Sequence, residues 1–160
     1  MTNRRQDLYS THLNSAAMGT FLGNVLQIMT TGLDLMHYHA FAGYLDKPND
    51  KRECGVMQDV RIVCKSGEAR NSVVAKLHAL AKAVEDRDAK EKSGVYTWLA
   101  CKSIDDDKSL RLYARYKDRN AMEKSIRTPE VLDFWLATKD DVAQMESRAY
   151  LPNGKGWLHR

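Results

Sequence analysis

"LRLYARYKDRNAMEKSIRTPEVLDFW", residues 110–135, decides how the chain is read. As far as Tyr116 polar and apolar residues alternate, the period of a β-strand whose side chains point to opposite faces. "KDRN" (117–120) ends the alternation. Asp118 is suited to cap a short helix through Ile126, and Thr128 followed by Pro129 and Glu130 suits the start of a second. Upstream, "VYTWLACK" (95–102) is rich in aromatic and β-branched residues, and "SIDDDK" (103–108) is a polar loop, so 95–102 and 109–116 read as a hairpin. Further upstream, "VRIVCK" (60–65) reads as a short buried strand and "SGE" (66–68) as a turn. Residues 71–90 place Val73, Leu77, Leu80 and Val84 on one helical face, with Asn71 or Ser72 at the N-cap and Gly94 as the stop. A last strand falls within 142–151. The order β-α-β-β-α-β predicts an α+β, ferredoxin-like unit: four mostly antiparallel strands with both helices on one face. Apolar residues on both faces of that sheet predict a two-fold partner over the second face, hence a homodimer.

The remainder of the 160 residues is consistent with one such unit plus an appendage. Residues 6–45 carry apolar positions about every fourth place (Leu8, Leu13, Ala17, Phe21, Val25, Met29 and Leu33), a pattern that suits one or two helices weakened by Gly19, Gly23, Gly32 and Gly43. "LDKPNDKRECG" (45–55) has the composition of a linker. The expected division is an N-terminal helical extension and linker over 1–55 and the ferredoxin-like domain over 56–160. A net charge of +4, with lysines and arginines interleaved among acids as in "VEDRDAKEK" (84–92), argues against a nucleic-acid binder. The most apolar stretch is broken by Asn24, Gln27, two threonines and Asp34, which argues against a membrane span. Cys54, Cys64 and Cys101 form no pairing or zinc pattern, which suits a reducing, cytoplasmic setting. His37 and His39 share a side if extended but have no evident third ligand, so no metal is expected; the carboxylates of "IDDDK" (104–108) read as a solvated loop.

Residues 60–151 resemble the antibiotic-biosynthesis-monooxygenase-like family of dimeric α+β barrels, which includes cofactor-independent quinol and anthrone oxygenases of aromatic polyketide pathways. The resemblance rests on "SGVYTW" (93–98) at the family's glycine and strand aromatic, "LYARYKDRNAM" (112–122) at its strand, aromatic, acidic corner and helix, and "SIRTPEVLDFW" (125–135) at its histidine, Thr/Ser-Pro and aromatic helix end. It covers a little over half the chain. The family's strand aromatic falls on Trp98 and its strand-end aromatic on Tyr116. Ser125 stands where the family has a histidine, and Ala114 where it often has a glutamate.

The resemblance implies a pocket between sheet and helices and a substrate that is a planar, electron-rich aromatic, such as a polyketide anthrone, quinol or polyphenol of secondary metabolism. It implies no cofactor, because in that chemistry the deprotonated substrate itself supplies electrons to dioxygen. Trp98, Tyr116 and Trp135 are expected as walls, with Tyr96, Met122 and Ser125 also against the substrate. By alternation, Trp98 and Tyr116 share a face if the hairpin register is even, and the small Ala114 leaves space between them. Arg111, Tyr113 and Arg115 point to the other face, yet Arg115 could hold an oxyanion. His78 borders the apolar face of the first helix and, with Tyr116, is the candidate for proton transfer. Two further readings remain open: a non-redox polyketide cyclase, decarboxylase or isomerase in the same pocket, and a non-catalytic dimeric binding module.

Overall fold

An inward row of Val56, Gln58, Val60, Ile62 and Cys64 alternates with Met57, Asp59, Arg61 and Val63, and this period makes Val56–Cys64 the first strand of the core unit, β2. The computed structural model describes residues 14–30, 36–45 and 53–153, together with Thr11. Leu8, Leu13, Leu33 and most of the expected linker, 46–52, lie outside the described residues.

The chain divides into two compact units, Met1–Leu35 and Met36–Arg160. In the first, helix α1 (Ala16–Val25) is capped by Ser15, whose hydroxyl accepts the Met18 N–H at 3.2 Å. In the second, the elements run β1 (Tyr38–Tyr44), β2, α2 (Gly67–Glu91), β3 (Val95–Ser103), β4 (Ser109–Tyr116), α3 (Arg119–Ile126), α4 (Pro129–Thr138) and β5 (Val142–Tyr150). The five described strands form one sheet in the order β1-β3-β4-β2-β5, every neighbouring pair antiparallel. Strands β3-β4-β2-β5 with α2 and α3/α4 are the ferredoxin-like unit that the sequence order predicts.

Strand β1 differs from expectation. Residues 38–44 fall within a segment read as helical, yet they extend the sheet beyond β3, with Tyr38 opposite Ser103 and Tyr44 opposite Trp98. A bulge between Ala40 and Ala42 breaks the period of two, so Phe41 and Ala42 are both half-buried and no clean alternation shows in the sequence. Gly43 sits at φ 98°, and a Cβ there would lie 2.0 Å from the Trp98 carbonyl oxygen, so only glycine fits this close approach.

Helix α2 also begins earlier than its apolar stripe suggests. Ser66, not Asn71 or Ser72, is the N-cap: its hydroxyl accepts the Ala69 N–H at 3.1 Å, and Glu68 lies in the positively polarised first turn. Ser72 instead donates to Asp141 Oδ2 at 2.9 Å, and Lys76 Nζ reaches the same oxygen at 3.1 Å, tying α2 to the corner before β5. The helix buries Val73, Leu77, Leu80, Ala81 and Val84 against the inward rows of the sheet. Leu77, Ile62 and Leu110 are fully buried, and truncating one to alanine costs roughly 2–5 kcal/mol.

The corner after β4 is built as its sequence implies. Asp118 Oδ1 accepts the Ala121 N–H at 2.8 Å and starts α3, and Pro129 opens α4 after the Thr128 cap position. Between the two helices Thr128 Oγ1 donates to the Ser125 carbonyl at 3.0 Å, which closes the break. Behind the corner, Gly94 adopts φ 82° and its carbonyl accepts the Lys117 N–H at 2.8 Å. Among the described residues no helix is long and apolar enough to cross a membrane.

Candidate functional site

The register of the central strands assembles the site. Ala114 is flanked by Trp98 on β3 and by Gln58 on β2, so a small side chain lies between a large aromatic and an amide on the helix-facing side of the sheet. Above it is a cavity of about 60 Å³. Val60, Leu112 and Ala114 supply its floor, and Trp98, Tyr116 and Gln58 its sides. Leu80 of α2, Ser125 and Ile126 of α3, and Val131 and Trp135 of α4 come down from the helices. Arg87 on α2 meets Glu130 on α4 at 2.6 Å and helps fix that roof. The Glu130 carboxyl is held below its ordinary range by its own backbone N–H and by Arg87.

The polar end is a chain of hydrogen bonds. The Tyr116 hydroxyl donates to Gln58 Oε1 at 3.0 Å, and Gln58 Nε2 donates to Ser147 Oγ on β5 at 3.0 Å. Burial pushes the Tyr116 phenol up to about 12, opposed only in part by the nearby Ser125 hydroxyl, which favours the phenolate. Tyr116 is therefore a protonated donor near neutral pH and not a ready base. The rest of the lining is apolar, amide or hydroxyl, so among the described residues no carboxylate, imidazole, ammonium or guanidinium faces the cavity.

The volume is informative. A single water needs about 10–15 Å³ of such space, and drug-sized pockets run to roughly 300–1,000 Å³. A fused-ring ligand therefore needs the walls to part, and Trp135, half-buried on α4 with its ring edge-on to Phe134 at 4.9 Å, is the lining aromatic with solvent on one side.

Of the residues singled out from sequence, Trp98, Tyr116, Ser125 and Trp135 come together around this cavity. His78, Arg115, Tyr96 and Met122 do not line it. The α2 stripe through Leu77, Leu80 and Val84 carries His78 to the exposed flank, where its ring meets Phe41 of β1 edge-on at 5.1 Å. Arg115 is buried opposite Met57 and Thr97 on the other face of the sheet, as strand alternation requires. Tyr96 sits where the β3–β4 register shifts between Val95 and Thr97, so its parity with Trp98 does not carry it into the site.

Gln58 is the residue that the sequence reading missed. Starting the first strand at Val60 left it unassigned between the linker and the strand; starting at Val56 would have shown it as the polar member of an otherwise apolar inward row. His37 is likewise accounted for, its ring Nδ1 3.1 Å from Asp105 Oδ2. Among the described residues no three His, Cys, Asp or Glu side chains are arranged to hold a metal ion.

No known sequence-family profile matches the chain, and no curated protein matches it. Solved structures do. A candidate monooxygenase from Fusobacterium nucleatum is similar at TM-score 0.65 and 17% identity over 87% of this chain, which spans 61% of that protein's length. A candidate antibiotic biosynthesis monooxygenase from Bacteroides thetaiotaomicron is similar at TM-score 0.53 and 20% identity, covering 66% of this chain and 95% of that one. Rv0793 from Mycobacterium tuberculosis gives TM-score 0.53 and 20% identity over 61% of this chain and 93% of its own. At these identities the likeness establishes a shared fold.

Proposed function

We propose that this protein is a cofactor-independent oxygenase of the antibiotic-biosynthesis-monooxygenase type, acting on a planar, electron-rich hydroxylated aromatic such as an anthrone or quinol. The observation that carries the reading is the meeting of Tyr116, Ser125 and Gln58 at one end of a cavity walled by Trp98 and Trp135, on a fold shared with proteins named as candidate monooxygenases. Aromatic walls suit stacking on a flat ring. The polar end offers hydroxyls to an oxygen that gains negative charge as the ring is ionised.

The balance for an anthrone is simple. The ring methylene loses two hydrogens and becomes a carbonyl; one oxygen atom of dioxygen enters that carbonyl and the other leaves as water with the two hydrogens. The substrate is the only reductant. Because no base lines the cavity among the described residues, the proton is lost to solvent water as the substrate ionises at its own acidity, and Tyr116 stabilises the anion without taking the proton. A cytoplasmic homodimer fits this reading. Every residue of β5 after Val142 is exposed, an open sheet edge of the kind that a second copy covers.

The lack of a base in the lining also supports a second reading, a dimeric binding module that stacks an aromatic ligand without turnover. A non-redox cyclase, decarboxylase or isomerase of the same substrates is a third. Oxygen uptake by purified protein with a panel of anthrones and quinols, with products weighed by mass spectrometry, separates them. Oxygenation predicts protein-dependent uptake and, for an anthrone, a net gain of 14 mass units (one oxygen in, two hydrogens out; roughly, by the balance above). A product of unchanged mass, or one lighter by water or carbon dioxide, would transfer the assignment to the non-redox enzyme; binding with no product would transfer it to the module.

A further inference from the structure

Gln58 lies at the junction of the site's hydrogen bonds and outside every motif that suggested the site. Its amide is oriented from both ends. Nε2 donates to Ser147 Oγ and Oε1 accepts the Tyr116 proton, an arrangement the ligand-free site holds until an ionised ligand oxygen draws that proton round to itself. Each carbonyl oxygen has two lone pairs, so Gln58 Oε1 retains one, and the phenol oxygen of Tyr116, its own proton already engaged, presents lone-pair density as well. A ligand reaching this end thus meets acceptors held by the protein, which call for a ligand O–H. A carboxylate, unlike a hydroxyl that ionises only in turnover, brings a permanent charge, and among the described residues the lining carries no cation to balance it.

We propose that Gln58 is a specificity-determining residue, positioned by Ser147, that selects a neutral aromatic ring bearing a free hydroxyl over the same ring without the hydroxyl or with a carboxylate. The inference rests on the cavity being the ligand site, as in the function proposed above. It deepens that reading by naming which ring substituent is recognised. The physical basis is asymmetry: an apolar isostere leaves the buried Tyr116 and the half-buried Gln58 beside a group that cannot hydrogen-bond, whereas the hydroxyl satisfies their remaining lone pairs.

Binding tests this without turnover or dioxygen. The probes are hydroquinone, its isostere p-xylene, and 4-hydroxybenzoate, titrated anaerobically into full-length protein labelled with ¹⁵N-tryptophan. The indole N–H signals are assigned by Trp98→Phe and Trp135→Phe. Hydroquinone should shift the Trp98 and Trp135 signals with an affinity at least tenfold above that of either other probe, a factor corresponding to about 1.4 kcal/mol. Gln58→Leu should bring hydroquinone and p-xylene within about threefold of each other. Ser147→Ala, on the exposed edge strand where folding tolerates it, should narrow the ratio part-way. Equal affinity of wild-type protein for hydroquinone and p-xylene, a ratio unchanged in both variants, or no shift of either signal with any probe would each overturn the proposal. Selective binding without oxygen uptake would refute the oxygenase and leave the selectivity standing; uptake without hydroxyl selectivity would do the reverse.

Discussion

The two faces of β4 carry opposite chemistry within eight residues. Toward the helices stand Leu110, Leu112, Ala114 and Tyr116, neutral and buried. Toward the other face stand Arg111, Tyr113 and Arg115, with Arg111 gripping Asp59 through two hydrogen bonds of 2.6 Å and lying 5.5 Å from the Tyr38 ring centre. The contrast teaches that this strand has segregated its charges away from the cavity. Chemistry on the helix side must use hydrogen bonding, shape and the acidity of the ligand. On the other face charges can pair and stack but cannot reach a ligand in the cavity.

Filling the neutral face should have the largest effect. Ala114→Leu places a branched side chain between Trp98 and Gln58, and overpacking of this kind costs about 1–3 kcal/mol. Loss of hydroquinone binding by more than a hundredfold in a folded variant is the expected result, read by the tryptophan signals and a thermal melt; unaltered binding would put the ligand elsewhere.

Tyr116 sharpens the comparison through pH. Its pKa is raised from 10.0 to about 12 by burial, so the folded protein holds the proton more tightly than the unfolded chain. The stabilisation is present in full below pH 10 and is lost as pH rises from about 10 through about 12, an amount of roughly 3 kcal/mol for two units. In ultraviolet titration of phenolate, Tyr116→Phe should remove the late phase near pH 12. It should also reduce the alkaline loss of stability relative to wild type.

The charged face should respond less. Asp59→Asn removes one partner of a pair in which Arg111 is nearly half exposed, and such pairs contribute about 1 kcal/mol or less. The melting temperature should fall by a few degrees at most, and hydroquinone affinity should not change. Smallest of all is His78→Ala: it removes the edge contact with Phe41, worth about 0.5–1 kcal/mol, from an exposed helix flank. A large loss of binding in either variant would break the distinction between the two faces.

Much of the arrangement was legible because it follows local periods. The β4 alternation and the Asp118 and Thr128-Pro129 helix starts are written in consecutive residues, and from them came the shared face of Trp98, Ala114 and Tyr116. Features set by pairing were harder to read. The β1 bulge mixes buried and exposed neighbours, so no period marks it as a strand. The shift at Tyr96 comes from its partner strand, invisible in its own alternation. His78 sits beside an apolar stripe whose width the spacing alone leaves open, and a shift of one residue in phase would have faced it inward, where Leu77 lies. Gln58 was missed because a polar residue near a charged linker reads as loop until a partner strand, here β4, shows where its neighbours point.

The central claim is that turnover depends on the neutral face alone. Its most direct test is oxygen uptake with one anthrone, measured side by side for wild type, Tyr116→Phe and His78→Ala. Removing one donor to a developing oxyanion lowers kcat by roughly a hundredfold or more, so Tyr116→Phe should fall by that order while His78→Ala stays within about twofold of wild type. The opposite pattern, activity lost with His78 and kept without the Tyr116 hydroxyl, would contradict the account.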